Sequence, residues 1–144
     1  MDKLYYTWKQ FDKDVKKIMK LIDFTNYSSL APVAFGGLIL GTKLKNTTKL
    51  STRIIFASSY KGYKKTALKI KTGDLDKLKS KVLIVDDIVD TGSTVLYITH
   101  YLDTKKIKYD TLTLFYKEHS VYKPTWYLHK APNHTWIIMP WEKK

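Results

Sequence analysis

The segment KVLIVDDIVDTGSTV, residues 81–95, governs how the rest of the chain is interpreted. It begins with Val82 to Val85, a continuous run of apolar and mostly β-branched residues that is typical of a strand buried on both faces. Two adjacent carboxylates, Asp86 and Asp87, follow this run directly, and Asp90 comes three residues later. The segment therefore predicts a buried strand that leads into a cluster of acidic side chains.

The next four residues, TGST at 91–94, precede a stretch that predicts a helix over residues 95–102. Free backbone N–H groups at a helix N-terminus, neighbouring hydroxyls and the helix dipole together attract anions. Ligands of open α/β sheets bind at the carboxyl ends of the strands, so this segment predicts a ligand site. For a generic pair of aspartates the simpler interpretation, a strand end in solvent followed by an ordinary helix cap, is favoured. The complete string is far more specific than such a pair.

The length and composition of the chain limit its class. Its 144 residues predict a single domain, 1–144, and 44% apolar residues are enough for a core. The absence of cysteine excludes a disulfide framework and thiolate chemistry. The apolar runs are shorter than the ~18–20 residues of a membrane span, and the N-terminus lacks the layout of a signal peptide. We therefore expect a cytoplasmic protein without a membrane partner.

The formal net charge of +13 raises the question of a nucleic-acid partner. Arg53 is the only arginine among the 26 basic residues, and the others are lysines spread along the chain. Lysine cannot form the bidentate contacts by which arginine reads bases and phosphates. We do not expect nucleic acid as a partner, and interpret the charge as a solvated surface that attracts phosphorylated substrates.

Strands and helices alternate along the predicted chain. Residues 7–10, TWKQ, form a capping box, and the apolar residues Trp8, Phe11, Val15, Ile18, Met19 and Ile22 behind it recur at helical spacing on a core-facing side. A second helix is predicted over 38–44, a mobile loop over 58–65 and a turn over 72–74. Further strands are predicted over 32–35, 53–57, 67–71, 111–116, 126–128 and 135–138. This alternation indicates an α/β fold with a mainly parallel sheet.

The central string resembles the phosphoribosyl diphosphate (PRPP) signature of type I phosphoribosyltransferases: an apolar strand, two acidic residues, two apolar residues and Asp-Thr-Gly-x-Thr. Further segments, in the same order, resemble the short bacterial xanthine-guanine (6-oxopurine) phosphoribosyltransferases. These are TW at 7–8, AFGGL at 34–38, SSY at 58–60, LFYK at 114–117 and TWIIMPWE at 135–142. Together they cover almost the whole chain.

The resemblance implies a fold and an activity. The fold is a central, mainly parallel sheet flanked by helices, with a small C-terminal purine-binding hood. The activity converts a 6-oxopurine (guanine, xanthine or hypoxanthine) and PRPP to the nucleoside 5′-monophosphate and diphosphate, in purine salvage. The resemblance also implies Mg²⁺ as a cofactor and a homo-oligomer, either a dimer or a tetramer.

The resemblance assigns site residues by position. Asp87 is the metal candidate, and Asp90 is the catalytic general acid/base at the purine N7. Lys117 is expected to bind the 6-oxo group, Trp136 to stack on the base, and Ile137 and Glu142 to contact the 2-position. The residues expected to bind PRPP are Gly36, Gly37, Asp86, Asp87, Asp90, Thr91, Gly92, Ser93 and Thr94.

Three positions depart from the family pattern. Phe35 and Thr66 stand where the family has arginines that contact diphosphate, and Glu142 replaces the usual aspartate. Lys64, Lys65 or Lys69 is a candidate replacement for the missing cations, although a lysine supplies a point charge rather than a fork. These departures keep a second hypothesis open, a PRPP- or nucleotide-binding regulatory module with weak or no catalysis. The four histidines show no metal-ligand spacing, and we assign them to the surface.

Overall fold

The computed structural model describes residues 2–61, 66–70 and 72–142. A short 3₁₀ helix, Phe24–Asn26, follows the first α-helix. The strands and α-helices in chain order are β1 (Asp2–Tyr5), α1 (Trp8–Leu21), β2 (Ser29–Ala34), α2 (Leu38–Thr48), β3 (Ser51–Thr52), β4 (Ile55–Lys61), β5 (Thr66–Ile70), α3 (Thr72–Asp76), β6 (Val82–Val89), α4 (Ser93–Thr104), β7 (Tyr109–Lys117), β8 (Trp126–Ala131) and β9 (Thr135–Ile138).

The main sheet has the strand order β5-β4-β2-β6-β7-β8, with β3 paired beside β2. Strands β2, β4, β6, β7 and β8 run parallel, and β5 is antiparallel to β4. Strand β6, which carries the acidic residues, lies between β2 and β7 in the middle of the sheet. The predicted α/β fold with a mainly parallel sheet is confirmed.

Helices cover both faces of this sheet. On one face Ile18 of α1 and Leu44 of α2 pack with Leu83 and Leu112 of the sheet. On the other face Ile98 and other apolar residues of α4 pack with alternate residues of β6, together with the α3 segment. Successive side chains of β6 enter opposite layers, which explains why its sequence is a continuous apolar run.

A separate two-stranded parallel sheet forms from the two ends of the chain, where β1 pairs with β9. Strand β9 has the predicted bounds. We call the small sheet of β1 and β9 the hood. Strand β1 was not predicted, because all four of its residues are exposed and it shows no apolar alternation. Its partner lies more than 130 residues away, so the pairing left no local signal in the sequence.

Helix α1 begins with the predicted capping box, in which the Thr7 side chain accepts from the Gln10 N–H and the Gln10 side chain accepts from the Thr7 N–H. Trp8 was expected in the core but is half exposed. Its ring packs against Phe11 and Trp141 with centroid distances of 5.6 and 5.8 Å. The first turn of α1 therefore closes over the edge of the core and leaves one side of Trp8 in solvent.

A buried carboxylate ties the start of the chain to the sheet. Asp14 of α1 accepts hydrogen bonds from the Tyr6 hydroxyl at 2.5 Å and, on the same oxygen, from the His129 Nε2 at 2.6 Å. Burial and the bond to Asp14 raise the pKa of the Tyr6 phenol above its ordinary value. The phenol is therefore the donor in this pair.

We expect Tyr6→Phe to lower the free energy of unfolding by about 1–2 kcal/mol, because it removes a donor from a buried carboxylate. Urea unfolding monitored by tryptophan fluorescence measures this change. Tyr109→Phe is the matched control, since it removes a 2.9 Å phenol–carboxylate bond to the exposed Asp103. That loss should stay below about 0.5 kcal/mol. Equal losses in the two variants would contradict a structural role for the Asp14 contact.

Several sequence-predicted boundaries were wrong. Strand β6 continues to Val89, so Asp86 and Asp87 lie within the strand rather than after it. Residues 72–74 open the helix α3 instead of forming a turn, because the buried Leu75 draws this segment onto the core. Residues 58–61 belong to β4, which pairs with β5, and not to a loop. Residues 62–65, which include Lys64 and Lys65, lie outside the described residues.

No helix in the part of the chain that the structure describes has the length and apolar character needed to cross a membrane.

Candidate functional site

The parallel strands β2, β6 and β7 are neighbours, so their carboxyl ends meet at one edge of the sheet. This edge brings together the Gly36-Gly37 turn after β2, the acidic residues of β6 and Lys117 at the end of β7. Residues from three separated parts of the sequence therefore converge where ligands of α/β sheets bind.

The double glycine lies directly against the acidic strand. A side-chain Cβ at Gly36 would be 2.5 Å from the Asp87 Oδ1, and one at Gly37 would be 2.3 Å from the Val85 carbonyl oxygen. Glycine is required at Gly37, where a Cβ would meet backbone atoms, whereas a Cβ at Gly36 would displace the Asp87 carboxylate. The Gly37 N–H donates to the Val33 carbonyl at 2.8 Å, so it is engaged within the protein.

Asp86 and Asp87 are half-buried at the carboxyl end of β6. Each accepts a hydrogen bond from the next backbone N–H, Asp86 from Asp87 at 2.9 Å and Asp87 from Ile88 at 2.7 Å. Burial, and second to it the charge of Asp87, raises the pKa of Asp86 well above its ordinary value. Burial likewise raises the pKa of Asp87. The negative charges of the two carboxylates are therefore unfavourable in the free protein, and a bound cation or hydroxyl donor would stabilise them.

We expect Asp86→Asn to stabilise the free protein at pH 7 by about 1 kcal/mol, because it removes an unfavourable buried charge. A carboxyl whose pKa is raised by folding lowers stability as the pH climbs from the ordinary value of 3.8 through the raised pKa. The difference between variant and wild type should therefore vanish near pH 4 and grow toward neutrality. Thermal unfolding of both proteins across this pH range measures it. A difference that is constant with pH would contradict the electrostatic cause.

The loop after β6 encloses a small polar cavity. The cavity measures about 130 Å³ and is lined by Asp86 and residues 88–95. Gly92 adopts a left-handed conformation with φ of 83°, and a Cβ there would be 2.2 Å from the Ser120 Oγ. Helix α4 begins at Ser93, two residues earlier than predicted, so its free N–H groups face the loop. The structure thus brings Asp90 and the TGST residues around one cavity that suits an anion.

Asp90 lies between two cationic or hydrogen-donating side chains. The Lys117 Nζ is 3.3 Å from its Oδ2, and the His119 Nε2 is 2.7 Å from its Oδ1. Lys117 is only 5% exposed, which is unusual for a lysine and marks it as more than a solvated surface residue. His119 lies at the surface, as expected for the histidines, but the sequence did not predict its contact with Asp90. Its contact spans 29 positions of sequence, and no local pattern announces it.

The hood presents an aromatic ring outward. Trp136 is 54% exposed, while its neighbour Ile137 is buried in the main core. The hood is joined to the Lys117 segment, because the Asn133 side chain just before β9 accepts from the His119 N–H at 3.1 Å. Glu142 is exposed in a final turn, where its N–H donates to the Met139 carbonyl.

The side of the site beyond the glycine turn is aromatic. Phe35 is 80% exposed, and its ring meets that of Phe56 edge to face at 6.4 Å. Strands β2 and β4 place these two residues next to each other, since Ala34 is in register with Phe56. Thr66 opens β5 opposite Lys61; its side chain and that of Lys69 are outside what the structure describes. Phe35 and Thr66, the two positions where the resemblance predicts arginine, therefore both lie on the β4–β5 side of β2, whereas Glu142 lies in the final turn after β9.

Comparison with protein families identifies one match across nearly the whole chain. The family described as "Phosphoribosyl transferase domain" matches residues 3–142. A xanthine-guanine phosphoribosyltransferase of Nitratidesulfovibrio vulgaris (strain DP4) is 24% identical over 140 residues, which cover 96% of this chain and 83% of that protein. A hypoxanthine-guanine phosphoribosyltransferase of Aquifex aeolicus is 35% identical over 116 residues, 74% of this chain and 65% of that protein.

Solved structures agree. The xanthine-guanine-hypoxanthine phosphoribosyltransferase of Helicobacter pylori superposes with a TM-score of 0.77 at 31% identity, covering 97% of this chain and 94% of that one. A purine phosphoribosyltransferase of Pyrococcus horikoshii superposes with a TM-score of 0.82 at 24% identity, covering 100% and 97%. The second likeness supports the fold alone.

Proposed function

The chain is a member of the phosphoribosyl transferase family, and from this premise we propose that it transfers the phosphoribosyl group of PRPP to a 6-oxopurine. The observation that carries the proposal is the buried Lys117 beside Asp90. A cation for the 6-oxo group and a carboxylate for the adjacent ring nitrogen suit one edge of guanine, xanthine or hypoxanthine. The curated relatives named above, which act on such purines, support this choice.

The ribose phosphate has its own part of the site. The cavity formed by Asp90, Thr91, Gly92, Ser93 and Thr94 supplies hydroxyls and helix N–H groups to the 5′-phosphate. Asp86 and Asp87 face the ribose hydroxyls, whose donors would offset the burial of the two carboxylates. The net charge of +13 favours the approach of this highly anionic substrate.

The purine is held by the Lys117 segment and the hood. Lys117 donates to the 6-oxo group, and Trp136 offers an exposed ring on which the base stacks. The Ile137 backbone and the Glu142 region contact the 2-position. This arrangement leaves Asp90 facing the five-membered ring of the purine, where the proton is exchanged.

The reaction forms one bond and breaks another at C1 of the ribose. The purine N9 bonds to C1, the bond from C1 to the diphosphate oxygen breaks, and diphosphate leaves with the bonding electron pair. In this direction the Asp90 carboxylate accepts the proton that leaves N7 of the base, and in the reverse direction it returns that proton, acting as general acid/base. The purine therefore attacks without accumulating positive charge.

We also propose Mg²⁺ as the cofactor. The donor chemistry fits, because Mg²⁺ is bound by one or two carboxylates together with substrate phosphates and water. Asp87, with Asp86 beside it, would supply those carboxylates. Within the described residues no group of three or more His, Asp or Glu side chains is placed to hold a metal ion. When bound, Mg²⁺ would neutralise the charge of the leaving diphosphate.

Trp136→Ala is expected to weaken purine affinity by about 1–3 kcal/mol, the value of stacking a base on an aromatic ring. KM for the purine should rise while KM for PRPP stays constant, as initial-rate kinetics would measure. Trp136→Phe retains a stacking face and should recover most of the affinity. A stacking role is wrong if both variants bind purine as the wild type does.

The second candidate function is the regulatory module. The exposed aromatic side chain of Phe35 favours it, because diphosphate gains no charge neutralisation there. Such a module would bind PRPP or nucleotide and form product slowly or not at all. The buried Lys117 argues for catalysis, since a sensor of PRPP alone has no use for a purine site.

One experiment separates the two functions. The purified protein is incubated with PRPP, Mg²⁺ and guanine, xanthine, hypoxanthine or adenine, and nucleotide products are measured by mass spectrometry. The enzyme hypothesis predicts a monophosphate from at least one 6-oxopurine and none from adenine. Binding of PRPP without any product would support the module, and chelation of Mg²⁺ tests the cofactor.

We propose, on the family resemblance, that the protein acts in the cytoplasm as a dimer or tetramer. Light scattering at assay concentration measures the assembly. A monomer with full activity would contradict this part of the proposal.

A further inference from the structure

We propose that His119 is a positioning residue, which holds the Asp90 carboxylate in place while Lys117 turns to the purine. The proposal rests on the proposed function of the same site and adds a residue that the family resemblance did not assign. It is carried by the two contacts of Asp90 and by the way the segment after β7 is fastened.

The two contacts of Asp90 differ in length. His119 Nε2 is 2.7 Å from Oδ1, whereas Lys117 Nζ is 3.3 Å from Oδ2. A carboxylate oxygen only accepts, so the His119 Nε2 carries the hydrogen in this contact. The shorter contact is the stronger one, and it fixes Oδ1.

In this proposal, binding of a purine replaces the contact between Lys117 and Asp90 and keeps the contact between His119 and Asp90. Lys117 is the proposed partner of the 6-oxo group, and the N7 of the purine lies next to that group on the same edge of the ring. When Lys117 donates to the purine, Oδ2 of Asp90 loses a donor and becomes the oxygen that faces N7. His119 keeps Oδ1 in place, so the exchange does not let the carboxylate rotate away.

The segment that carries His119 is fastened at three points. The His119 N–H donates to the Asn133 side chain at 3.1 Å, and the Ser120 N–H donates to the Lys117 carbonyl at 3.0 Å. The Val121 N–H donates to the carbonyl of Thr91 in the phosphate loop at 2.8 Å. The histidine is thus supported by a segment that spans from the phosphate loop to the base of the hood.

The competing interpretation is a surface ion pair without a role in the reaction. The side chains of His119 and Asp90 are 40% and 46% exposed. Pairs of this kind contribute only about 0–1 kcal/mol to stability. Such a pair would affect thermal unfolding slightly and leave the kinetics unchanged, so kinetics decide between the two interpretations.

The test is a double-mutant cycle between positions 119 and 90. His119→Met removes the donor, His119→Gln retains an N–H at similar reach, and each is made alone and together with Asp90→Asn. The readouts are kcat/KM for guanine, xanthine and hypoxanthine and the affinity for inosine 5′-monophosphate by calorimetry. His100→Met, which removes an exposed histidine of α4, is the control.

We expect His119→Met to lower kcat/KM about ten- to a hundredfold, the scale of a misplaced catalytic group. His119→Gln should recover most of this loss. In the Asp90→Asn background His119→Met should have no further effect, because the histidine acts only through the carboxylate.

Each outcome decides the matter. A loss of equal size in both backgrounds, or no loss for His119→Met, overturns the positioning role. A wild type without turnover, but with coupling between the two positions in nucleotide affinity, overturns the proposed function and retains the inference. A protein that neither turns over nor binds the nucleotide overturns both.

Discussion

Asp90→Asn is expected to lower kcat/KM for 6-oxopurines by about a hundred- to ten-thousandfold, the range of a lost general acid/base. The amide keeps the size of the side chain, and its single oxygen can accept from His119 or from Lys117 but not from both. It cannot exchange a proton with N7. Steady-state kinetics with PRPP saturating measures the change. KM for PRPP should change little if the cavity loop stays in place.

The control for this variant is Asp12→Asn, which removes an exposed carboxylate on α1 and changes the net charge by the same amount as Asp90→Asn. It should retain wild-type kinetics, and both variants should unfold at nearly the wild-type temperature. A fall of less than about tenfold in Asp90→Asn would place the proton transfer on another group.

Lys117→Met is expected to lower kcat/KM for the same purines by about ten- to a hundredfold, as a charge-assisted hydrogen bond of about 1.5–3 kcal/mol is lost. Methionine fills a similar volume in this buried position, so the fold should be retained. The loss should reside in KM for the purine, because Lys117 is not proposed to contact PRPP.

Lys108→Met is the matched control, since it removes an exposed lysine just before β7, the strand that ends at Lys117. It should leave both KM values unchanged. If Lys117→Met instead raises KM for PRPP and leaves that for the purine unchanged, the division of the site into a phosphate half and a purine half is wrong.

Features encoded in short segments were predictable from the sequence. The Thr7 capping box and the continuous apolar run of β6 are local patterns with a direct physical cause. The carboxyl ends of neighbouring parallel strands meet at one edge, so the meeting of the glycine turn with the acidic residues followed from the fold class. The close approach of backbone atoms at Gly37 explains why a side chain is excluded there.

Features that depend on distant partners were not predictable. Strand β1 is fully exposed and exists only through its pairing with β9. The contact of His119 with Asp90 depends on the turn after β7, which the Ser120 and Val121 hydrogen bonds shape. In both cases the sequence near the residue carries no periodicity or motif, and only the assembled sheet brings the partners together.

Phe35 has the greatest bearing on whether the protein is an active enzyme. Its exposed ring lies beside the glycine turn, where the family has an arginine. In the proposed active site, several protein groups are therefore available to bind the base and the ribose phosphate. Fewer protein charges are available to stabilise the departing diphosphate. Product formation, rather than binding, is the stringent test.

A single-turnover experiment tests the central claim most directly. Enzyme in excess over labelled guanine, xanthine or hypoxanthine, each in a separate reaction, is mixed with PRPP and Mg²⁺, quenched at intervals and analysed for the nucleoside 5′-monophosphate. We predict stoichiometric conversion of at least one of these bases by the wild type and strongly slowed conversion by Asp90→Asn. If the wild type converts none of the three bases, with folded protein and PRPP shown to be bound, the assignment of this chain as a purine phosphoribosyltransferase is contradicted.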